Sequence, residues 1–155
     1  MKKSLLIAFL FVSIFANGQV SFSGVKINLT TENDSIFLNV IYKNEKRKMD
    51  ETPKLLLRLM NDDVLILNGK LIGVQNKTEG GYMLYGVVIA ANEFVSEAKF
   101  YITKEQMNQI GMGVKKFRLN TSPKYFEKEW SKDKIGKILY NKYLESSSNS
   151  FQDGF

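Results

Sequence analysis

The sequence predicts an α+β fold: a single β-rich domain with a mainly antiparallel sheet of about six or seven strands, one short helix near 104–110 and an amphipathic C-terminal helix near 132–145. Three observations point there. Runs rich in β-branched and aromatic residues alternate in polarity with a period of two, as half-buried strands do. The connections between them are short and built from turn-forming residues, which favours antiparallel pairing because parallel pairing needs long crossovers. After Ile102 the apolar period changes from two residues to about 3.6.

Taken in order, Val20 to Thr30 alternates around Phe22, Val25, Ile27 and Leu29 and reads as a first strand, followed by a turn at Thr31-Glu32-Asn33-Asp34. Ser35 to Lys43 (SIFLNVIYK) is a second strand, apolar on both faces, and Asn44 to Thr52 a charged loop. Pro53 to Met60 (PKLLLRLM) puts Leu55, Leu57 and Leu59 on one face, and proline suits a strand's first position. Asn61-Asp62-Asp63 signals a turn. Val64 to Val74 reads as a strand interrupted at Asn68-Gly69 by a hairpin turn or a bulge, and Gln75 to Gly81 as a polar loop. Tyr82 to Ala91 (YMLYGVVIAA) reads as a central strand in which Gly86 admits a neighbouring backbone, and Glu97 to Ile102 as a further strand.

Thr103-Lys104-Glu105-Gln106 has the form of a capping box, with Thr103 as N-cap of a helix to about Ile110 and Gly111 just beyond it. Val114 to Asn120 (VKKFRLN) returns to strand, with Phe117 and Leu119 on one face, Lys116 and Arg118 on the other, and Pro123 as its stop. Ile135, Ile138, Leu139, Lys142 and Tyr143 mark one stripe of the second helix. Gly136 inside it costs about 1 kcal/mol relative to alanine, which packing must offset. Residues 146–155 (SSSNSFQDGF) read as a flexible tail.

Ahead of this domain, residues 1–18 (MKKSLLIAFLFVSIFANG) have the pattern of a secretory signal peptide. Lys2 and Lys3 form the positive start, Leu5 to Val12 an apolar run, and Ala16 and Gly18 the small residues before a cut at Gln19. The apolar stretch is about 12 residues, short of the roughly 20 that span a bilayer. Cleavage leaves 137 of the 155 residues, the size of one ordinary domain, with the folded part at 19–145. The expected location is therefore beyond the inner membrane: periplasm, outer-membrane surface or extracellular, with the membrane met only through the signal peptide before cleavage.

The chain has no cysteine and no histidine. That excludes disulfides, thiol nucleophiles, zinc sites of the Cys/His kind and every imidazole base. The 22 Lys+Arg and 16 Asp+Glu leave a net charge of +4 once Lys2 and Lys3 depart, too mild to argue for nucleic acid as a partner. Asn61-Asp62-Asp63 lacks the ligand spacing of a calcium loop. Ser131 and Lys134 stand as S-x-x-K without the companion motifs of penicillin-recognising enzymes, so Ser131 reads as a helix N-cap. No catalytic residue, metal-ligand set or cofactor site emerges. What does emerge is a cluster of cations beside aromatic rings, in which Lys116, Arg118, Tyr125 and Trp130 are the candidate ligand-binding residues. Aromatic faces that stack and cations that pair suit a glycan or an anionic polymer.

The segment from Phe100 to Tyr143 resembles a group of small secreted proteins from Bacteroidota. It carries a strand leading into Thr103, Glu105 and Gln106, then a basic strand through Gly113, Val114, Lys116 and Arg118, then KDKIGK at Lys132 to Lys137. The resemblance covers under half of the mature chain. It implies the fold and the exported address, and transfers no functional residue. In the same setting, Asp34-Ser35-Ile36 resembles the short O-glycosylation pattern of exported Bacteroidota proteins, which makes Ser35 a candidate modification site. The reading that follows is an exported, non-catalytic binding or accessory module of the cell envelope, with a glycan or another envelope protein as partner. The alternatives are a small carboxylate-dependent hydrolase acting on glycans and a structural envelope protein.

Overall fold

The computed structural model describes residues 19–152, so the segment read as a signal peptide lies outside the described residues. Ten strands and two helices follow one another as β1 (Val20–Phe22), β2 (Val25–Glu32), β3 (Ser35–Asn44), β4 (Lys48–Met49), β5 (Lys54–Leu59), β6 (Val64–Leu84), β7 (Val87–Ile102), α1 (Lys104–Gly111), β8 (Val114–Leu119), β9 (Thr121–Ser122), β10 (Phe126–Glu129) and α2 (Gly136–Gln152). Eight strands form one sheet in the order β1-β2-β3-β7-β6-β5-β8-β10, antiparallel at every junction. β4 and β9 form a separate two-stranded pair.

The β-rich α+β class is as expected, but the main sheet has eight strands where six or seven were expected. The differences are local. The expected first strand is cut by a two-residue hairpin at Ser23–Gly24, with φ of 44° and 80°. Positive φ at both central residues is the turn geometry that matches the twist of the flanking strands. It recurs at Asn33–Asp34 and Tyr85–Gly86. At Gly24 a side chain is excluded on two counts: the φ is left-handed, and a Cβ would lie 2.5 Å from the Lys43 carbonyl oxygen. β10 (FEKE) lacks apolar alternation and is a strand because it pairs with β8.

Two further expectations fail in the middle of the chain. β6 runs unbroken through Asn68-Gly69 and through the supposed polar loop at 75–81. Gly69 is neither turn nor bulge; the ring of Phe100 lies against it, 2.5 Å from where a Cβ would sit. Tyr82 to Ala91 is not a central strand but the two sides of a hairpin, with Leu84 paired to Val87 around Tyr85–Gly86.

One face of the sheet forms the core. β3 alternates strictly, burying Ile36, Leu38, Val40 and Tyr42. Leu55, Leu57 and Leu59 of β5, Phe100 and Ile102 of β7, and Phe117 and Leu119 of β8 join them. α1 covers this face with Met107 and Ile110, and α2 with Leu139, joined by Ile135 just ahead of it. Ile138, assigned to the apolar stripe by the sequence, is 48% exposed, so the stripe is narrower than expected.

The sheet also curls. Phe22 on β1 and Phe126 on β10 belong to strands at opposite ends of the order, yet their ring centroids are 6.5 Å apart. Phe22 also meets Phe117 edge-on at 5.2 Å and Trp130 edge-on at 4.9 Å. Each such pair adds about 0.5–1.5 kcal/mol beyond the area it buries.

The capping box of α1 is present as expected, with Gln106 N–H donating to Thr103 Oγ1 and Thr103 N–H donating to Gln106 Oε1. The helix ends differently: Met112 is the C-cap, Gly113 takes the left-handed turn at φ 108°, and Gly111 lies in the helix against the ring of Tyr140. α2 starts at Gly136, not 132, and continues to Gln152 through much of the segment read as a tail.

The start of α2 depends on Asp133. Its carboxylate accepts the backbone N–H groups of Ile135 (3.1 Å), Gly136 (2.7 Å) and Lys137 (2.8 Å), and that of Val114 at the start of β8 (3.0 Å). Asp133, not Ser131, is thus the cap. Gly136 lets α2 press against α1, because a Cβ there would sit 2.5 Å from the Ile110 carbonyl oxygen. KDKIGK is therefore a joint: a cap, a buried Ile135 and a contact glycine.

Two outcomes follow for this joint. Burial tends to raise the carboxyl pKa of Asp133, but the four backbone donors outweigh it and hold the pKa below the usual value of 3.8. A carboxylate with a depressed folded pKa contributes its stability above the unfolded pKa and loses it as pH falls through the folded value. Urea denaturation should therefore show Asp133→Ala destabilised by about 1–2 kcal/mol at pH 7, with the difference from wild type shrinking below about pH 4. Gly136→Ala should lower stability as well, by about 1–3 kcal/mol, although alanine is the better helix former.

Candidate functional site

Alternation along β8 turns Lys116 and Arg118 away from the core, onto the outer face of the sheet. The β8–β10 register sets Arg118 opposite Glu127 and Lys116 opposite Glu129. Arg118 donates from Nε to Glu127 Oε2 at 2.6 Å, and its Nη2 lies 2.6 Å from the same oxygen. Lys116 Nζ bridges Glu127 and Glu129, each at 3.1 Å. Hydrogen bonds from Lys116 and then Arg118 lower the pKa of Glu127, and Glu127 and Glu129 in turn raise that of Lys116. The Arg118 guanidinium also stacks 4.4 Å from the ring centroid of Tyr125, which is 47% exposed.

Three of the four candidate binding residues, Lys116, Arg118 and Tyr125, are thus brought together. Trp130 is not with them. It packs against the core cluster beside Phe22, and its backbone N–H donates to the Lys115 carbonyl at 2.8 Å. A shallow hollow of about 70 Å³ adjoins the charged cluster, lined by Leu56, Arg58, Val64, Lys116 and Arg118. The sequence showed the cations and the rings but not Glu127 and Glu129 as their partners, because cross-strand register is a tertiary property.

Ser35 is half-buried, directly after the Asn33–Asp34 turn, and pairs with Glu32. A polar cleft of about 510 Å³ opens beside that turn, with Asn33, Asp34, Lys104 and Tyr143 among its lining residues. Asp62 is paired with Lys115, whose hydrogen bond lowers the Asp62 pKa. Asn61-Asp62-Asp63 serves as a turn, with Asp63 N–H donating to Asn61 Oδ1 at 3.1 Å. Among the described residues, no three acidic side chains converge into a possible metal site.

The feature that sequence reasoning missed is an arm. β5 accompanies β6 only as far as Asn68, and β3 accompanies β7 only from Phe94 onward. Beyond those limits β6 and β7 pair with each other alone, out to Leu84 and Val87. The pairing register shifts within the arm between Glu79 and Tyr82, and nearer the core, where β7 still pairs with β3, between Leu71 and Gly73. Toward its end Met83 is 73% exposed, Tyr85 98% and Val87 62%. The available signal was the Tyr85-Gly86 pair in the middle of an apolar run too long for a single strand of average length. It was masked because a two-sided apolar run also describes a buried strand.

No protein-family model, curated protein or solved structure gives a significant match to this chain. Among the described residues, no helix is long and apolar enough to cross a membrane.

The two aromatic candidates should separate in a stability measurement. Trp130→Ala should cost about 2–4 kcal/mol in chemical denaturation, since it opens the ring cluster. Tyr125→Ala should leave the midpoint within about 0.5 kcal/mol of wild type.

Proposed function

We propose that this protein is an exported, non-catalytic binding module of a cell envelope, and that the β6–β7 arm is its binding element. The observation that carries this reading is the exposure of Met83, Tyr85 and Val87 on a two-stranded projection. A lone hairpin is only marginally stable in water, and exposed apolar surface of this kind marks interaction sites. Among the described residues, the buried ones of β6 and β7 are Leu67, Ser96, Ala98, Phe100 and Ile102, all within the main sheet or at its margin.

Several acids are committed to structural partners: Glu127 and Glu129 pair with Arg118 and Lys116, Asp62 pairs with Lys115, and Asp133 accepts four backbone N–H groups. Export rests on the leader pattern at 1–18. A second reading, glycan binding at the Tyr125–Arg118 stack, is favoured by the exposed ring with a guanidinium fixed against it.

Excising Gly80–Ala91 and closing Glu79 to Asn92 with an Asn-Gly turn should change unfolding free energy by about 1 kcal/mol or less, because the removed residues lie beyond the main sheet. A photo-crosslinker at position 85 should capture a partner in intact cells. A crosslinker at Asp63, on the opposite end of the sheet, should not. Equal labelling at both positions would refute the assignment of the arm. Mass spectrometry should find Gln19 as the mature N-terminus; an intact Met1 on all recovered protein would refute export.

A further inference from the structure

We infer that the arm docks on a lipid surface, its apolar end entering the interfacial layer of a bilayer and the basic 43–48 loop resting on anionic headgroups. This inference rests on the arm being the binding element and adds the identity of what it binds.

The argument is the direction in which polarity changes. A strand lying on a protein partner presents one apolar face, so polarity alternates along it. In the arm, polarity changes along the length instead. Lys77, Thr78, Glu79, Asn92 and Glu93 stand toward the main sheet, with Thr78 and Asn92 hydrogen-bonded across the strands at 3.2 Å. From Gly80 to Ala91 no residue is charged. The end of the hairpin is thus a stretch of sequence without charge on either strand. An occupant that surrounds the end on all sides fits this pattern, and a bilayer does so.

The dimensions agree. At about 3.3 Å per residue, Gly80 to Tyr85 extends about 16–20 Å, ample to reach across the headgroup layer that makes a bilayer about 40–45 Å thick around a hydrocarbon core of about 30 Å. The arm's outer edges limit the depth. Their unpaired N–H and C=O groups tolerate the hydrated headgroup region but not the hydrocarbon centre. The fit is therefore shallow and reversible, with Tyr85 at the interface where tyrosine is favoured.

Charge complementarity supplies the second observation. Asn44 pairs with Phe94 at the root of the arm, which places the 43–48 loop beside it. Lys43 near the end of β3, Lys46 and Arg47 in the turn, and Lys48 at the start of β4 stand in this stretch against one acid, Glu45. Glu93 of the arm shares a cleft of about 410 Å³ with Lys43, Lys46 and Arg47. Cations beside an apolar projection are the arrangement that anionic headgroups attract.

The test is flotation of the mature protein with phosphatidylcholine vesicles, with and without phosphatidylglycerol. Wild type should float with both and more strongly with phosphatidylglycerol, with that excess lost at high salt. Tyr85→Asp and Val87→Asp, at positions too exposed to affect folding, should each weaken partition about tenfold or more. Lys43→Gln with Lys46→Gln should remove the phosphatidylglycerol excess while keeping the basal binding. Flotation of the Asp variants equal to wild type would overturn the inference. So would absence of wild-type flotation combined with dimerisation in ultracentrifugation that Tyr85→Asp abolishes, which would make the occupant a second copy. A protein crosslink at position 85 without vesicle binding would leave the arm as the binding element and reject lipid as its target.

Discussion

An open sheet of eight strands with one apolar face must close that face or expose it to water, and the closure in this protein is made by side chains. Main-chain bonds do not join β1 to β10. Phe22, Phe117, Phe126 and Trp130 meet in their place. Ring contacts are tolerant of angle, so a sheet whose end strands do not align can still be sealed. The two helices cover the rest of the concave face. Placing β1 by three residues of pairing alone would be weak; the Phe22 ring makes that short strand part of the core.

The second constraint is the joint at Asp133. It ties the first residue of β8 to the first turn of α2 through one carboxylate. The same short stretch supplies Ile135 to the core and Gly136 to the contact with α1. These three roles require an acceptor, an apolar side chain and no side chain, in that order. This gives a structural reason for the Asp133, Ile135 and Gly136 of the KDKIGK stretch. The cations of the neighbouring β8 strand are similarly occupied: Lys116 and Arg118 are committed to Glu127 and Glu129, so what an external anion meets is a neutralised cluster.

With the sheet sealed and the outward cations of β8 paired, the arm is what the fold leaves available. β6 and β7 are far longer than the strands beside them, and the surplus has no neighbour in the sheet. A residue count beyond what the core uses, concentrated in one hairpin and uncharged at its end, is a feature that stability alone does not account for. The binding role and the lipid target proposed for it both rest on that surplus.

Much of the fold was legible in the sequence because it depends on local spacing. The alternation of Leu55, Leu57 and Leu59, the Thr103–Gln106 capping box, and the inward Phe117 against the outward Arg118 are each set within a few residues, and each stands as read. Local spacing does not carry which strand lies beside which. That information decides whether an apolar run such as YMLYGVVIAA is enclosed as a central strand or projects as a hairpin, whether FEKE becomes a strand, and whether Glu127 meets Arg118. It also decided that Tyr125 and Trp130, five residues apart, lie in different surroundings, one exposed against Arg118 and the other packed into the ring cluster. The sequence by itself determined the class, the periodicities and the caps, since these are properties of neighbours along the chain. Tertiary structure alone decided the partners, because pairing and curl depend on distant segments that meet only when the sheet closes.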